Sequence, residues 1–497
     1  MSGNFYELLC ERWTGRLDRV AMRTPGGPVV THRELDERSA RMAGALRELG
    51  VDTGDRVAVQ IDKSVDAVTL YLACLRSGAV FLPLNTAYTE TEVEFFVGDA
   101  EPALIAARPG TLAGLDARVV TLDTVRGGSF QDIVNTAEPM VEVVARDGDD
   151  LAAMLYTSGT TGRSKGAMLT HANLASNALA LYQSWGFTPD DVLLHTLPIF
   201  HAHGLFVALH CAWLGANEII FLPRFDVDAV VEYLPDATVL MGVPTHYVRL
   251  LADRRFDTDS CRNIRLLTSG SAPMTAALHG EVTARTGHEI VERYGMTEAL
   301  MITSNPYDGA RVPGTVGMAL PGVEVRVTDD DGEMVPPGVT GGVEIRSTAL
   351  FRGYWRLPEK TASEFREGGW FVTGDVGTLD EEGRLTLEGR TGDMIISGGF
   401  NVYPKEIEMV LDEVDGVHET SVIGVPHPEF GEAVVAIVVR EPGASVDDAA
   451  MGAALAGRLA RFKHPKHYEF VDALPRNSMS KVQKADLRAI MADLFAD

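Results

Sequence analysis

Apolar and polar positions in the first half of the chain keep two rhythms in turn, one of helices and one of short strands. Thr31 and Glu34 have the spacing of a capping box, and Leu35, Met42 and Leu46 follow on one side of the helix it opens, which is predicted to run to Leu49. Gly50 supplies the stop. Arg56-Val57-Ala58-Val59-Gln60-Ile61 reads as a strand and Val65–Arg76 as the next helix. The rhythm returns with a buried strand at Ala237–Val243 and a helix at Thr245–Ala252. Such alternation predicts a layered α/β fold. From Val323 to Gly389 it gives way to short β-like runs, such as Val323–Val327 and Gly342–Ile345, separated by Gly, Pro and Asp, which predicts a mostly β subdomain. Beyond Gly389, Ser421–Val425, Ala433–Val439 and His467–Val471 read as strands, and Asp447–Leu459 and Gln483–Phe495 as helices. The expected architecture is α/β and α+β. A large N-terminal domain, residues 1–391, holds layered α/β subdomains plus a β subdomain, and a small α+β C-terminal domain spans 392–497, with the boundary near Arg390–Asp393.

A chain of 497 residues is too long for one core, in keeping with that division. A net charge of −26 argues against general binding to nucleic acid or anionic membranes, while leaving room for a local basic phosphate pocket. Cys10, Cys74, Cys211 and Cys261 are scattered with no CxxC spacing, which points to free buried thiols in a reducing cytosol rather than a metal cluster or disulfide framework. Met1–Arg12 carries charges and no apolar core, so no signal peptide is expected. The apolar stretch Leu70–Leu84 is broken by Arg76, and no run reaches the roughly 20 apolar residues of a membrane span. The expected location is the cytoplasm.

The densest chemistry is Tyr156-Thr157-Ser158-Gly159-Thr160-Thr161-Gly162-Arg163-Ser164-Lys165-Gly166, just after the strand-like Leu151–Leu155. Its glycines let backbone N–H groups turn inward, and its hydroxyls and lysine add donors, a composition suited to a polyphosphate. A P-loop needs Gly-Lys-Ser/Thr at its end, and here Lys165 follows Ser164 and precedes Gly166, so that register fails. The run closely resembles the signature loop of the adenylate-forming superfamily, which includes acyl-CoA synthetases, peptide-synthetase adenylation domains and firefly-type luciferases. The resemblance extends over nearly the whole chain.

By that resemblance Thr157, Ser158, Gly159, Thr160, Thr161, Gly162 and Lys165 hold the phosphates of ATP. Glu292-Arg293-Tyr294-Gly295-Met296-Thr297-Glu298 resembles a second core motif. It implies that Tyr294 lies against adenine, that Thr297 bonds the α-phosphate, and that Glu298, with Thr157, holds Mg²⁺, a hard cation suited to a carboxylate and phosphate oxygens. Gly270-Ser271-Ala272-Pro273 resembles the adenine-binding turn, and Asp375 and Arg390 the ribose contacts. Asp393 falls at the family's hinge, where Arg390-Thr391-Gly392-Asp393 has glycine in place of the usual lysine. Gly398, Gly399 and Phe400 resemble the segment that lines the pantetheine tunnel for coenzyme A. Pro475–Lys481 resembles the last motif, making Lys481 the catalytic lysine of adenylation, with Ser480 where glycine is commoner and Lys484 as the competing candidate. Thr157, Lys165, Glu298 and Lys481 are thus the expected catalytic set.

The resemblance implies an AMP-forming acid–thiol ligase whose mobile C-terminal domain turns about Asp393 between two half-reactions. Pro198–Leu205, Met241–Thr245, Glu292–Glu298 and Ser304–Gly309 together are similar to the malonyl-CoA synthetase subfamily, which implies malonate, with methylmalonate besides. His201, Ala202, Arg249, Arg293 and Met301 are then the expected acyl contacts, with the two arginines paired to a second carboxylate. Alternatives from the sequence are a ligase for another short or medium-chain acid, a stand-alone enzyme that loads a carrier protein, and a catalytically dead nucleotide-binding protein. No nucleic acid and no membrane span are expected as partners.

Overall fold

In the computed structural model, residues 3–125, 127–157, 164–397, 400–402, 404–427, 430–456, 458–459, 461–477 and 481–496 are described. The capping box at Thr31 forms as its chemistry demands. Glu34 N–H donates to Thr31 Oγ1 at 3.2 Å, its carboxylate accepts from Thr31 N–H at 2.8 Å, and the helix His32–Glu48 follows. The strand Arg56–Gln60 leads to the helix Val65–Ser77, capped by Ser64 and ended by Gly78 in the left-handed conformation.

Among the described residues the strands fall into four sheets. The first, of seven strands, runs Gly353–Tyr354, Lys165–Thr170, Leu151–Thr157, Val80–Pro83, Arg56–Gln60, Leu104–Ala107, Val119–Thr121; it is parallel from Leu151–Thr157 onward. The second, of nine, has a parallel body in the order Ile290–Met296, Leu266–Ser269, Val239–Gly242, Val192–His195, Glu218–Phe221, Val20–Arg23. Helices Phe5–Trp13, Val65–Ser77, His171–Ser184 and Leu209–Leu214 contribute to one core with both sheets, and Trp13 Nε1 ties the ends of that layer by donating to Trp213 O at 2.9 Å. A third sheet, antiparallel, spans Val323–Arg390, as the β-rich stretch predicts.

The fourth sheet belongs to the small C-terminal α+β domain. Its central strand Gly431–Arg440 pairs with Val417–His427, Ile395–Ser397 and, in parallel, His467–Val471. Val434, Ala436 and Val438 face one apolar cluster with helices Pro404–Leu411 and Asp448–Leu455, while Val435, Ile437 and Val439 face another with Leu487 of helix Lys484–Ile490. Period-two burial on both faces explains the near-continuous apolar run. Two helices are shorter than predicted. The first ends at Leu455 because Ala456 is already extended, and the last ends at Ile490, Met491, Leu494 and Phe495 still packing on the sheet from turns.

Arg76, which interrupts the longest apolar stretch, is 2% exposed and fully engaged. It pairs with Asp36 and donates to Ser39 Oγ, Met140 O and the Tyr6 hydroxyl. A buried guanidinium is tolerated when its donors are met. Among the described residues no helix is long and apolar enough to cross a membrane.

Candidate active site

The parallel strands place their carboxyl ends along one edge, where open α/β sheets hold ligands. Thr157 ends one such strand and lies opposite Lys165 across an antiparallel pair, and Lys165 begins a strand where a P-loop would begin a helix. Ser158, Gly159, Thr160, Thr161 and Gly162 lie outside the described residues. Lys165 Nζ stands 4.8 Å over the Tyr354 ring and 4.0 Å from Glu364 Oε1. The Tyr354 hydroxyl donates to Glu298 Oε1 at 2.9 Å. Burial pushes the Glu298 carboxyl above its ordinary range, offset by hydrogen bonds from its own backbone and Tyr354 and by the charges of Arg390 and Lys165. Among the described residues no three His, Cys, Asp or Glu side chains gather into a metal cage. One buried carboxylate fits Mg²⁺ instead, an ion that takes most of its octahedron from phosphate and water oxygens. No sequence motif marks Tyr354; only its edge-strand pairing with Lys165–Thr170 brings it here.

A second cluster forms around Asp375, which lies opposite Arg390 across adjacent strands. Arg390 Nε donates to Asp375 Oδ1 at 2.7 Å, and the buried Tyr294 hydroxyl donates to Oδ2. Thr373 fixes the turn, its hydroxyl accepting from Asp375 N–H at 3.0 Å and donating to Val343 O at 2.8 Å. Lys481 faces this cluster from the C-terminal domain. Its pKa is lowered first by partial desolvation and then by Arg390, with Asp375 and Asp393 pulling the other way. Asn477 Oδ1 accepts from Lys481 N–H at 3.0 Å, shaping the hairpin that presents it. Lys484 is committed elsewhere, donating to the buried Glu408 at 2.7 Å. Asp393 accepts from Arg488 at 2.8 Å. Gly398 and Gly399 lie outside the described residues, and Phe400 opens the strand Phe400–Val402.

Of the residues expected at the acid, four lie at the edge of the nine-stranded sheet or on the segments that follow it. Strands ending at Gly242, Ser269 and Met296 run in register, and the strand ending at His195 leads into Pro198–His203. Arg293 is 3% exposed and lies on Gly270, where a Cβ would stand 2.4 Å from the guanidinium carbon, so a side chain here would displace the guanidinium. Next to it Ser271 holds a left-handed φ of 68°, a strained position of the kind that clusters at functional sites, and its Oγ is 3.4 Å from His203 Nδ1. Among the described residues nothing accepts a hydrogen bond from Arg293 Nε or Nη2. Burial pulls its pKa down to about 9. His201 is held neutral by burial, at about 4, and its ring lies 4.5 Å from that of Phe200. Ala202 packs against the main core, and Met301, buried opposite Gly295, accepts from Asn177 at 2.9 Å. Arg249 departs from expectation. It is exposed on helix Pro244–Leu251 and rests 4.9 Å over the Phe225 ring, so the expected pair of buried guanidiniums is one buried and one at the surface. Helical spacing from Thr245 did not reveal which side of that helix faces solvent.

The AMP-binding enzyme family matches residues 10–355 and the AMP-binding enzyme C-terminal domain matches 406–481. The chain is 36% identical to the mitochondrial malonate–CoA ligase ACSF3 of Mus musculus, over 95% of this chain and 88% of that one. It is also 36% identical to a feruloyl-CoA synthase of Amycolatopsis sp, over 93% and 94%. The ATP-bound crystal structure of MatB from Rhodopseudomonas palustris superposes with a TM-score of 0.96 at 50% identity, covering all of both chains.

Glu292, beside Arg293, gives a pH prediction. It is buried, accepts from Gly314 N–H at 3.2 Å, and burial raises its pKa to about 7 despite the charge of Lys405. In the unfolded chain the group ionises near its ordinary 4.5, so stability falls as pH rises between that value and about 7. Glu292→Gln should flatten this slope: in urea titrations it gains on the parent at pH 7.5 relative to pH 4.5. An equal difference between the two proteins at both pH values would show that Glu292 ionises normally.

Proposed function

Because the chain belongs to the AMP-binding enzyme family, as an AMP-forming acid–CoA ligase, we propose that the acid it activates is malonate, with methylmalonate as a second substrate. ATP and CoA are its other substrates. The observation that carries the choice of acid is the unmet guanidinium of Arg293. Arg76 is equally buried, but its donors are satisfied by protein. Leaving a buried charge unpaired costs several kcal/mol, about 3–5 when one partner of a pair is removed. A second carboxylate on a short frame supplies a fork of acceptors, whereas a fatty chain supplies none. The mouse relative bears the name malonate–CoA ligase, and the feruloyl-CoA synthase at equal identity means that identity alone does not choose. The local chemistry of Arg293 supports malonate. Ala202 and Met301 border the α-substituent, and a small Ala202 leaves room for methyl.

In the first half-reaction an oxygen of the acid attacks the α-phosphorus and pyrophosphate leaves. Negative charge develops on phosphate oxygens, so catalysis is positioning plus cations. Lys165 and the loop from Thr157 to Gly162 take the phosphates, and Lys481 reaches the reacting end. The Tyr294 ring and the Gly270–Pro273 turn take adenine, and Asp375 with Arg390 the ribose, a role supported by their mutual hydrogen bonds. Mg²⁺ held by Glu298 and Thr157 would neutralise phosphate charge. In the second half-reaction the CoA thiol attacks the acyl carbon and AMP leaves. Lys481 blocks that approach, so the unit 392–497 turns about Asp393, withdrawing Lys481 and bringing Gly398, Gly399 and Phe400 to line the thiol's path.

A pyrophosphate-release screen of mono- and dicarboxylates with CoA tests the acid. Malonate and methylmalonate should lead, and Arg293→Met should lower kcat/KM for malonate by about a hundredfold with KM for ATP little changed. Far better turnover of acetate or a medium-chain acid would overturn the reading. Lys481→Ala should abolish acid-dependent pyrophosphate release yet spare thiolysis of supplied malonyl-adenylate; equal loss in both half-reactions would remove Lys481 from its role.

A further inference from the structure

Lys63 lies in the turn between strand Arg56–Gln60 and helix Val65–Ser77, at the carboxyl edge of the seven-stranded sheet, and reaches across to the nine-stranded one. Its Nζ is 2.8 Å from His195 Nδ1 and 3.0 Å from His195 O, and stands 4.4 Å over the Phe221 ring. Among the described residues no carboxylate pairs with it. His195 Nε2 meets the Gly204 carbonyl at 2.9 Å. A carbonyl only accepts, and burial keeps the imidazole neutral, so the ring proton sits on Nε2 and Nδ1 accepts from Lys63. The lysine therefore fixes the tautomer that bonds Gly204.

Gly204 belongs to a π-helical segment, His203–Ala208, that continues as helix Leu209–Leu214. Single π turns are rare, and they recur at functional sites. This one is held from outside its own ladder. The Gly204 carbonyl takes the His195 proton, and its Cα is so close to the preceding chain that a Cβ would stand 2.1 Å from Pro198 O. His203, next in the chain, is buried, with Nδ1 at 3.4 Å from Ser271 Oγ and, among the described residues, no partner for Nε2. Ser271 follows Gly270, on which Arg293 lies. His203 and Arg293 thus sit on adjacent residues of one turn.

We propose that Lys63 is a positioning residue for the acid: through His195 and the Gly204 carbonyl it holds His203 on the Gly270–Ser271 turn, beside Arg293. The proposal rests on the reading of Arg293 as the seat of a second carboxylate, and deepens it. A buried lysine from the other sheet sets the shape of the acid pocket by its contacts with His195.

The test is the ratio of kcat/KM for malonate to that for propionate, which cancels the fraction of folded enzyme in each sample. Lys63→Met should lower this ratio about tenfold, the effect of roughly 1.4 kcal/mol, with KM for ATP unchanged. His195→Leu should lower it to the same extent, and the double variant no further, because residues acting in series are not additive. In Arg293→Met, Lys63→Met should change the ratio no more. A parent enzyme with no preference for malonate would overturn the Arg293 reading and this proposal with it. A parent that prefers malonate, combined with an unchanged ratio in Lys63→Met or additive effects of Lys63→Met and His195→Leu, would overturn the positioning role alone.

Discussion

A guanidinium sealed from water with donors unmet by protein is the constraint on which the account of this molecule turns. Arg293 lies at the carboxyl edge of a parallel sheet, pressed on Gly270, with burial drawing its pKa down to about 9. The histidines of this region are neutral and add no counter-charge. His203 is held well below its ordinary pKa by burial and by Arg293, and His246 is held at about 3 by burial, Arg249 and Lys63. These groups stay neutral, and among the described residues no carboxylate pairs with Arg293. A site with that balance is complementary to an anion, and binding energy is gained by the ligand that supplies one.

In the proposed reading the same strand also serves the nucleotide. Along Ile290–Met296, successive side chains turn to opposite faces, so Arg293 goes toward the acyl side while Tyr294 goes toward Asp375 and Arg390. On that reading one strand would fix the acid relative to the sugar, which is what an in-line displacement at phosphorus asks of a scaffold. The remaining cations come from separate elements: Lys165 from the strand Lys165–Thr170, and Lys481 from the C-terminal domain. The proposed withdrawal of Lys481 in the second half-reaction draws on its being carried by the small C-terminal domain.

Local features were legible in the sequence and long-range pairings were not. The capping box at Thr31, the stop at Gly50 and the strand at Ala433–Val439 depend on neighbours a few residues away, and the structure has them where the pattern indicates. The nucleotide residues were found through motif resemblance, and the structure brings Tyr294, Asp375 and Arg390 into mutual contact. Tyr354 against Glu298, 56 residues apart, and Lys63 against His195, 132 apart, follow from which sheet edges meet, a matter no local period encodes. Arg249 shows the converse. Its spacing from Thr245 suggested a place in the pocket, but the packing of its helix turns it to solvent over Phe225.

Malonamate has the shape of malonate with a neutral amide in place of one carboxylate, and comparing the two acids as substrates isolates the charge that Arg293 lacks. The account predicts that kcat/KM for malonamate falls by about a hundredfold or more, since the amide leaves the guanidinium short of its counter-charge. Equal turnover of the two acids would contradict it.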